Sequence, residues 1–176
     1  RAVQDGDEYV VNGQKVWTSG AQSADWGILL VRTNPDEPKH RGITYFIADM
    51  KAPGVTVRPL INAAYTHEFN EVFFEDVRIP KENILGGPGD GHRLGQYRLG
   101  PARLAHCMRW IGQAETALNM TLERSMKRYA HGSLLGEKGE IQRYVAESAA
   151  EIQAARLMTL DAAHAMDQGG EARVEI

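Results

Sequence analysis

Between positions 86 and 91 the chain reads Gly-Gly-Pro-Gly-Asp-Gly, and across it the spacing of apolar residues changes from about two to about three and a half. Period two builds strands with one buried face, and the longer period builds amphipathic helices, so one switch predicts two different domains. The fold class expected is α+β: an N-terminal antiparallel β-barrel-like domain over 1–86, then long helices of an incomplete four-helix bundle over 87–176.

On the first side, turn residues cut short apolar runs into expected strands at Trp26 to Arg32, Gly42 to Asp49, Gly54 to Leu60 and Asn70 to Arg78. Their spacing fits a small barrel or sandwich. Tyr9 to Val11 and Gln14 to Thr18 flank Asn12-Gly13, a dipeptide suited to a two-residue hairpin turn. The polar, proline-bearing run from Asn34 to His40 reads as a surface loop. On the second side, Leu104, Met108, Ile111, Leu118 and Leu122 mark one helix face, with Pro101 expected in its early turns. Ile141, Val145, Ile152, Ala155, Ala162 and Met166 mark a second helix, rich in alanine, which suits close packing in a bundle or at an intersubunit seam. Two helices alone bury little. The chain also starts on Arg1 and stops in a helix-forming run, and so reads as a piece of a longer protein.

Several function classes are disfavoured. A net charge of -3 gives no global attraction to nucleic acid or anionic lipid. The single cysteine, Cys107, makes no internal disulfide or thiolate cluster, and no apolar run reaches bilayer length. The six histidines are scattered without metal-ligand spacing. The glycines at 86 to 91 lack the Gly-Lys-Ser/Thr ending of a phosphate loop and read better as an interdomain turn. His67-Glu68 is either a general base or an exposed loop pair, and Ser19 lacks the context of a hydrolase nucleophile. Arg98, Arg103 and Arg109 form either a solvated helix face or a phosphate clamp, while Arg124, Lys127 and Arg128 also complement a helix C-terminus. The segment Lys15-Val-Trp-Thr-Ser-Gly-Ala21 has two readings as well: a strand end with Trp17 in the core, which the segment alone favours, or a ligand platform with hydroxyls beside a flat ring.

Taken in order, several stretches resemble the acyl-CoA dehydrogenases. Gly6-Asp-Glu-Tyr-Val-Val-Asn-Gly-Gln-Lys-Val-Trp-Thr-Ser-Gly20 is similar to that family's GD-Y-NG-K-W segment. Val72-Phe-Phe-Glu-Asp-Val-Arg-Ile-Pro80 with Asn83-Ile-Leu-Gly86 is similar to its F-DV-R-P segment. The resemblance extends over essentially the whole chain and implies a middle β domain over 1–86, contacting flavin, and the start of a C-terminal helical domain over 87–176.

It further implies FAD-dependent α,β-dehydrogenation of an acyl-CoA thioester, with the cofactor carrying the difficult step. Trp17 matches the aromatic beside the isoalloxazine, Ser19 matches the residue that approaches flavin N5, and Thr18 between them offers its backbone N–H. Arg128 matches the arginine that reaches the FAD pyrophosphate, commonly from the adjacent subunit; Gly132 follows the pattern there, and His131 replaces the usual phenylalanine. Gly100, Pro101, Ala102 and Arg103 match the stretch lining the CoA and acyl channel, with Gly100 where an acid is usual. The family's catalytic base is expected beyond Ile176, because Ala102, the minority position for it, cannot accept a proton. Implied partners are an acyl-CoA substrate, electron-transferring flavoprotein as acceptor, and further copies of the chain in a homotetramer or homodimer. The location implied is cytoplasmic in bacteria and the mitochondrial matrix in eukaryotes. A non-catalytic flavin- or acyl-CoA-binding scaffold and an acyl-CoA oxidase are the alternatives.

Overall fold

The computed structural model describes residues 1–170. Its elements run β1 (Ala2–Asp5), β2 (Glu8–Lys15), β3 (Trp26–Arg32), β4 (Ile43–Asp49), β5 (Val55–Ile61), β6 (His67–Pro80), β7 (Ile84–Leu85), α1 (Gly91–Lys127), β8 (Tyr129–Ala130), β9 (Ser133–Leu134) and α2 (Gly139–Asp167). The chain is thus α+β, with antiparallel sheets and two long helices. It divides into two compact units, Arg1–Gln96 and Tyr97–Ile176, so the division falls inside α1.

In the first unit, β1-β2-β6-β5 form one antiparallel sheet and β3-β4-β7 another. Alternation sends Tyr9 and Val11 of β2, Leu29 and Val31 of β3, and Phe46 and Ala48 of β4 into a shared core with Val72, Phe74, Val77 and Ile79 of β6. The edge of Tyr9 meets the Phe46 ring at 5.1 Å. On β6 the buried parity changes, from even numbers through Phe74 to odd numbers from Val77. A bulge causes this. Val11 pairs with Val77 but Gly13 pairs with Phe74, leaving Glu75 and Asp76 opposite Asn12 alone.

The bulge corrects the expected hairpin at Asn12-Gly13. Strand β2 runs straight through that dipeptide, and the turn lies earlier, at Gly6-Asp7, between the paired Asp5 and Glu8. Asn12 serves the bulge instead. Its side chain donates to Asp76 Oδ1 at 2.8 Å and accepts the Asp76 N–H at 3.0 Å, which holds Asp76 at φ 50°. Gly54 completes the fit: at φ 89°, a Cβ there would meet the Glu75 carbonyl at 2.1 Å.

The glycine-rich link is a self-satisfied turn. The Gly87 N–H donates to the Asp90 carboxylate, and the Gly89 N–H donates to Thr44 Oγ1 on β4. Helix α1 therefore starts at Gly91, which packs directly on the backbone of β4. Pro101 lies well inside α1 rather than in its first turn, and it leaves the Tyr97 carbonyl without an α-helical donor. In the second unit Ile111 and Ala162 are buried, Leu104, Leu118, Ile141, Val145, Ile152 and Met166 are half-buried, and Met108 and Leu122 are each 38% exposed. Ala155 faces outward, contrary to the spacing. Thr159 takes the inward place and donates its hydroxyl to the Ala155 carbonyl at 2.8 Å. Arg156 of α2 donates to Glu115 of α1 at 2.8 Å.

Candidate functional site

Strand β2 ends at Lys15, where the ammonium donates to the Leu30 carbonyl at 2.7 Å. Desolvation there pushes the lysine below its ordinary value. Beyond it the chain leaves the sheet. Trp17 adopts a left-handed backbone, φ 61°, and stays 67% exposed, so the core reading of this ring fails. A left-handed conformation in a bulky residue costs about 1–2 kcal/mol and persists only where neighbours enforce it.

Those neighbours come from the start of β6. The Asn70 carbonyl accepts the Thr18 N–H at 3.0 Å, and Asn70 Nδ2 donates to the Thr18 carbonyl at 2.9 Å and to Gln22 Oε1 at 2.6 Å. Because Thr18 presents a backbone oxygen, the Asn70 amide can point only one way, and its Oδ1 faces His67 Nε2 at 2.8 Å. The His67 ring therefore carries its proton on Nε2. Phe69 meets Trp17 edge-to-face at 5.9 Å. The Gly20 carbonyl accepts N–H bonds from Ser23 and Ala24, closing the turn toward β3.

What this leaves free is informative. Thr18, expected to offer its N–H to a ligand, has that group committed to Asn70. Ser19 is exposed, and among the described residues neither its hydroxyl nor its N–H has a protein partner. His67 and Glu68 are both exposed, but they belong to β6 rather than to a loop before it, and His67 Nε2 also bonds Asn70.

The other expected residues lie in the second unit. Gly100 and Ala102 are half-buried on α1, while Pro101 and Arg103 are exposed; Arg98 and Arg109 are exposed as well. Arg128 follows the last residue of α1. Its N–H donates to the Arg124 carbonyl, its own carbonyl accepts from Leu135, and its side chain is open. Met120, Glu123, Arg124, Lys127 and Arg128 line an open groove, where three cations face one carboxylate. His131 (φ 52°) and Gly132 (φ 85°) turn the chain between β8 and β9. The 100–103 stretch and Arg128 stand roughly 40 Å apart along α1 at 1.5 Å per residue, so they cannot grip the same phosphate.

Two family models cover nearly all of this. The acyl-CoA dehydrogenase middle domain matches residues 1–77, and the acyl-CoA dehydrogenase C-terminal domain matches residues 89–176. The chain belongs to the acyl-CoA dehydrogenase family. Mouse (Mus musculus) acyl-CoA dehydrogenase family member 10 is 45% identical over 168 residues, 92% of this chain and 16% of that protein. The probable acyl-CoA dehydrogenase FadE2 of Mycobacterium tuberculosis is 42% identical over 172 residues, 95% of this chain and 42% of its own. A solved glutaryl-coenzyme A dehydrogenase in complex with glutaryl-CoA superposes with a TM-score of 0.82 at 33% identity, covering 94% of this chain and 42% of that one. The chain spans less than half the length of each of these relatives.

Family membership implies a flavin, and the donors here fit one. An acyl-CoA dehydrogenase needs a flat apolar surface and hydrogen-bond donors for the ring, plus cations for the pyrophosphate. The exposed Trp17 ring, the free Ser19 donors and the Arg124-Lys127-Arg128 groove supply those types. Sequence reasoning missed Asn70, yet a signal existed: it occupies the inward parity set by Val72 and Phe74, where an amide needs partners.

Proposed function

We propose that the whole protein, with FAD bound, dehydrogenates an acyl-CoA thioester between its α and β carbons to give the trans-2-enoyl thioester. When bound, FAD supplies the acceptor for the hydride that leaves the β carbon. Trp17 gives the ring a packing face. Ser19, exposed and with its hydroxyl and N–H unpartnered among the described residues, would offer donors to the ring. Arg128, whose exposed guanidinium can make a bidentate fork, would hold the pyrophosphate. Gly100 to Arg103 line the acyl-CoA channel, and the absence of a side-chain acid at Gly100 removes one CoA contact usual in the family. Ala102 holds no proton acceptor, so a carboxylate beyond Ile176 takes the α-proton. Electron-transferring flavoprotein receives the electrons, and the working enzyme is a homo-oligomer.

The observation that carries this reading is Trp17. A large indole held in a left-handed turn and left 67% exposed contributes little to the core and much to a ligand face. Full-length protein is expected to purify yellow and to bleach anaerobically with an acyl-CoA. A colourless protein that takes up no FAD overturns the reading. Flavin binding without bleaching by any chain length means a scaffold, and stoichiometric hydrogen peroxide under air means an oxidase.

A further inference from the structure

We propose that Asn70 is a positioning residue for the flavin, acting through the backbone of Trp17, Thr18 and Ser19, with His67 fixing its amide. The proposal rests on the flavin reading above.

The geometry is a two-handed grip. Asn70 holds the peptide before Thr18 through its backbone carbonyl and the peptide after Thr18 through Nδ2. These two peptides join Thr18 to Trp17 on one side and to Ser19 on the other, so the grip sets the direction of both groups assigned to the ring. Asn70 itself cannot drift. It is fully buried, its strand neighbours Val72 and Phe74 are core residues, and its Oδ1 is occupied by the His67 Nε2–H. Gln22 takes the second amide proton at 2.6 Å and ties the far end of the turn to the same side chain. No atom of Asn70 is left to contact a ligand directly, so its effect on the flavin passes through the segment it holds.

The test uses full-length protein loaded with FAD. Asn70→Asp replaces the donor to the Thr18 carbonyl with an oxygen, and is expected to change the visible circular dichroism of the flavin and its midpoint potential. It is also expected to slow flavin reduction at saturating acyl-CoA about 100-fold, the scale set by a displacement of about 1 Å in a reacting pair. His67→Phe removes the lock on the amide and shifts the spectrum the same way, while His67→Gln, which keeps an N–H donor, restores it. Asn12→Ala, at the β6 bulge, is the control: it lowers stability and leaves the flavin spectrum alone.

Asn70→Asp with unaltered spectrum, potential and rate overturns the proposal, as does Asn12→Ala reproducing the Asn70 effect. Should Asn70→Asp fail to fold, the His67 pair decides, and equal flavin spectra for His67→Phe and His67→Gln overturn it. Wild-type protein that takes up no flavin overturns the parent reading and this one together; intact flavin uptake with unaltered variants overturns this one alone.

Discussion

The two units contrast in how much of their apolar surface they bury. In the first, both sheets close on one core in which Phe46, Val11, Val72 and Val77 are almost completely hidden. In the second, two long helices bury Ile111 and Ala162 but expose Trp110 (63%), Met120 (68%), Met126 (68%) and Met158 (69%). Helices draw most of their stability from a covered apolar face, so the helical unit is the weaker of the two on its own contacts. The residues proposed for flavin follow the same division. The sheet unit holds the turn that carries Trp17 and Ser19, and the helical unit carries the exposed cations Arg124, Lys127 and Arg128.

The contrast breaks most readily at the core. Phe46→Ala is expected to cost about 3–5 kcal/mol in the first unit, because a packed ring leaves a cavity. Ile111→Ala in the second unit should cost about 2 kcal/mol, the low end for such truncations, since the surrounding surface is open and can relax. Urea melts followed by separate probes for each unit check this, and equal losses would erase the distinction.

Next comes Pro101. An interior proline costs a helix about 3 kcal/mol relative to alanine, and this one is exposed, so little packing is lost on replacing it. Pro101→Ala should raise helicity and stabilise the second unit by up to about 3 kcal/mol, while acyl-CoA binding weakens if the channel needs the interrupted helix. A stabilised variant with unchanged binding would remove Pro101 from the substrate stretch. The β6 bulge gives a smaller effect in the first unit. Gly54→Ala, which forces a Cβ against the Glu75 carbonyl, should cost about 1–3 kcal/mol, and Asn12→Ala about 1–2 kcal/mol from two lost bonds.

The same two places explain what the sequence disclosed. Trp26 to Arg32 is a strand at both expected ends because its signals are local: alternation, apolar content and flanking turns. Asn12-Gly13 misleads because a good local turn signal is overruled by pairing with β6, some sixty residues away. Helix α1 begins earlier than its first periodic leucine suggests, since glycines hide a start fixed by contact with β4. Trp17, Ser19 and Arg128 were legible through motifs as candidates for the proposed site. The exposure of Trp17 was not, because its left-handed turn depends on Asn70, and only parity along β6 hinted at that partner.

The smallest expected effect compares the two helix starts. Asp90 lies just before α1 and Glu140 in the first turn of α2, and each faces an arginine three residues on: Arg93 at 3.2 Å and Arg143 at 2.6 Å. The arginine bond holds each carboxyl below its ordinary range, helped by the Gly87 N–H at Asp90 and by Tyr144 at Glu140. A depressed folded value means the stabilisation is present at neutral pH and is lost as pH falls through the folded carboxylate range. Both pairs are open to solvent, which weakens them and makes them salt-sensitive. They differ in what else the carboxylate does. Asp90 also closes the link that seats α1 on β4, whereas Glu140 bonds only within its own helix turn. Asp90→Asn should therefore flatten the acid limb of stability in the first unit more than Glu140→Gln does in the second. Denaturant melts from neutral pH downward measure both limbs, and equal flattening would mean that Gly87 contributes nothing beyond the surface pair.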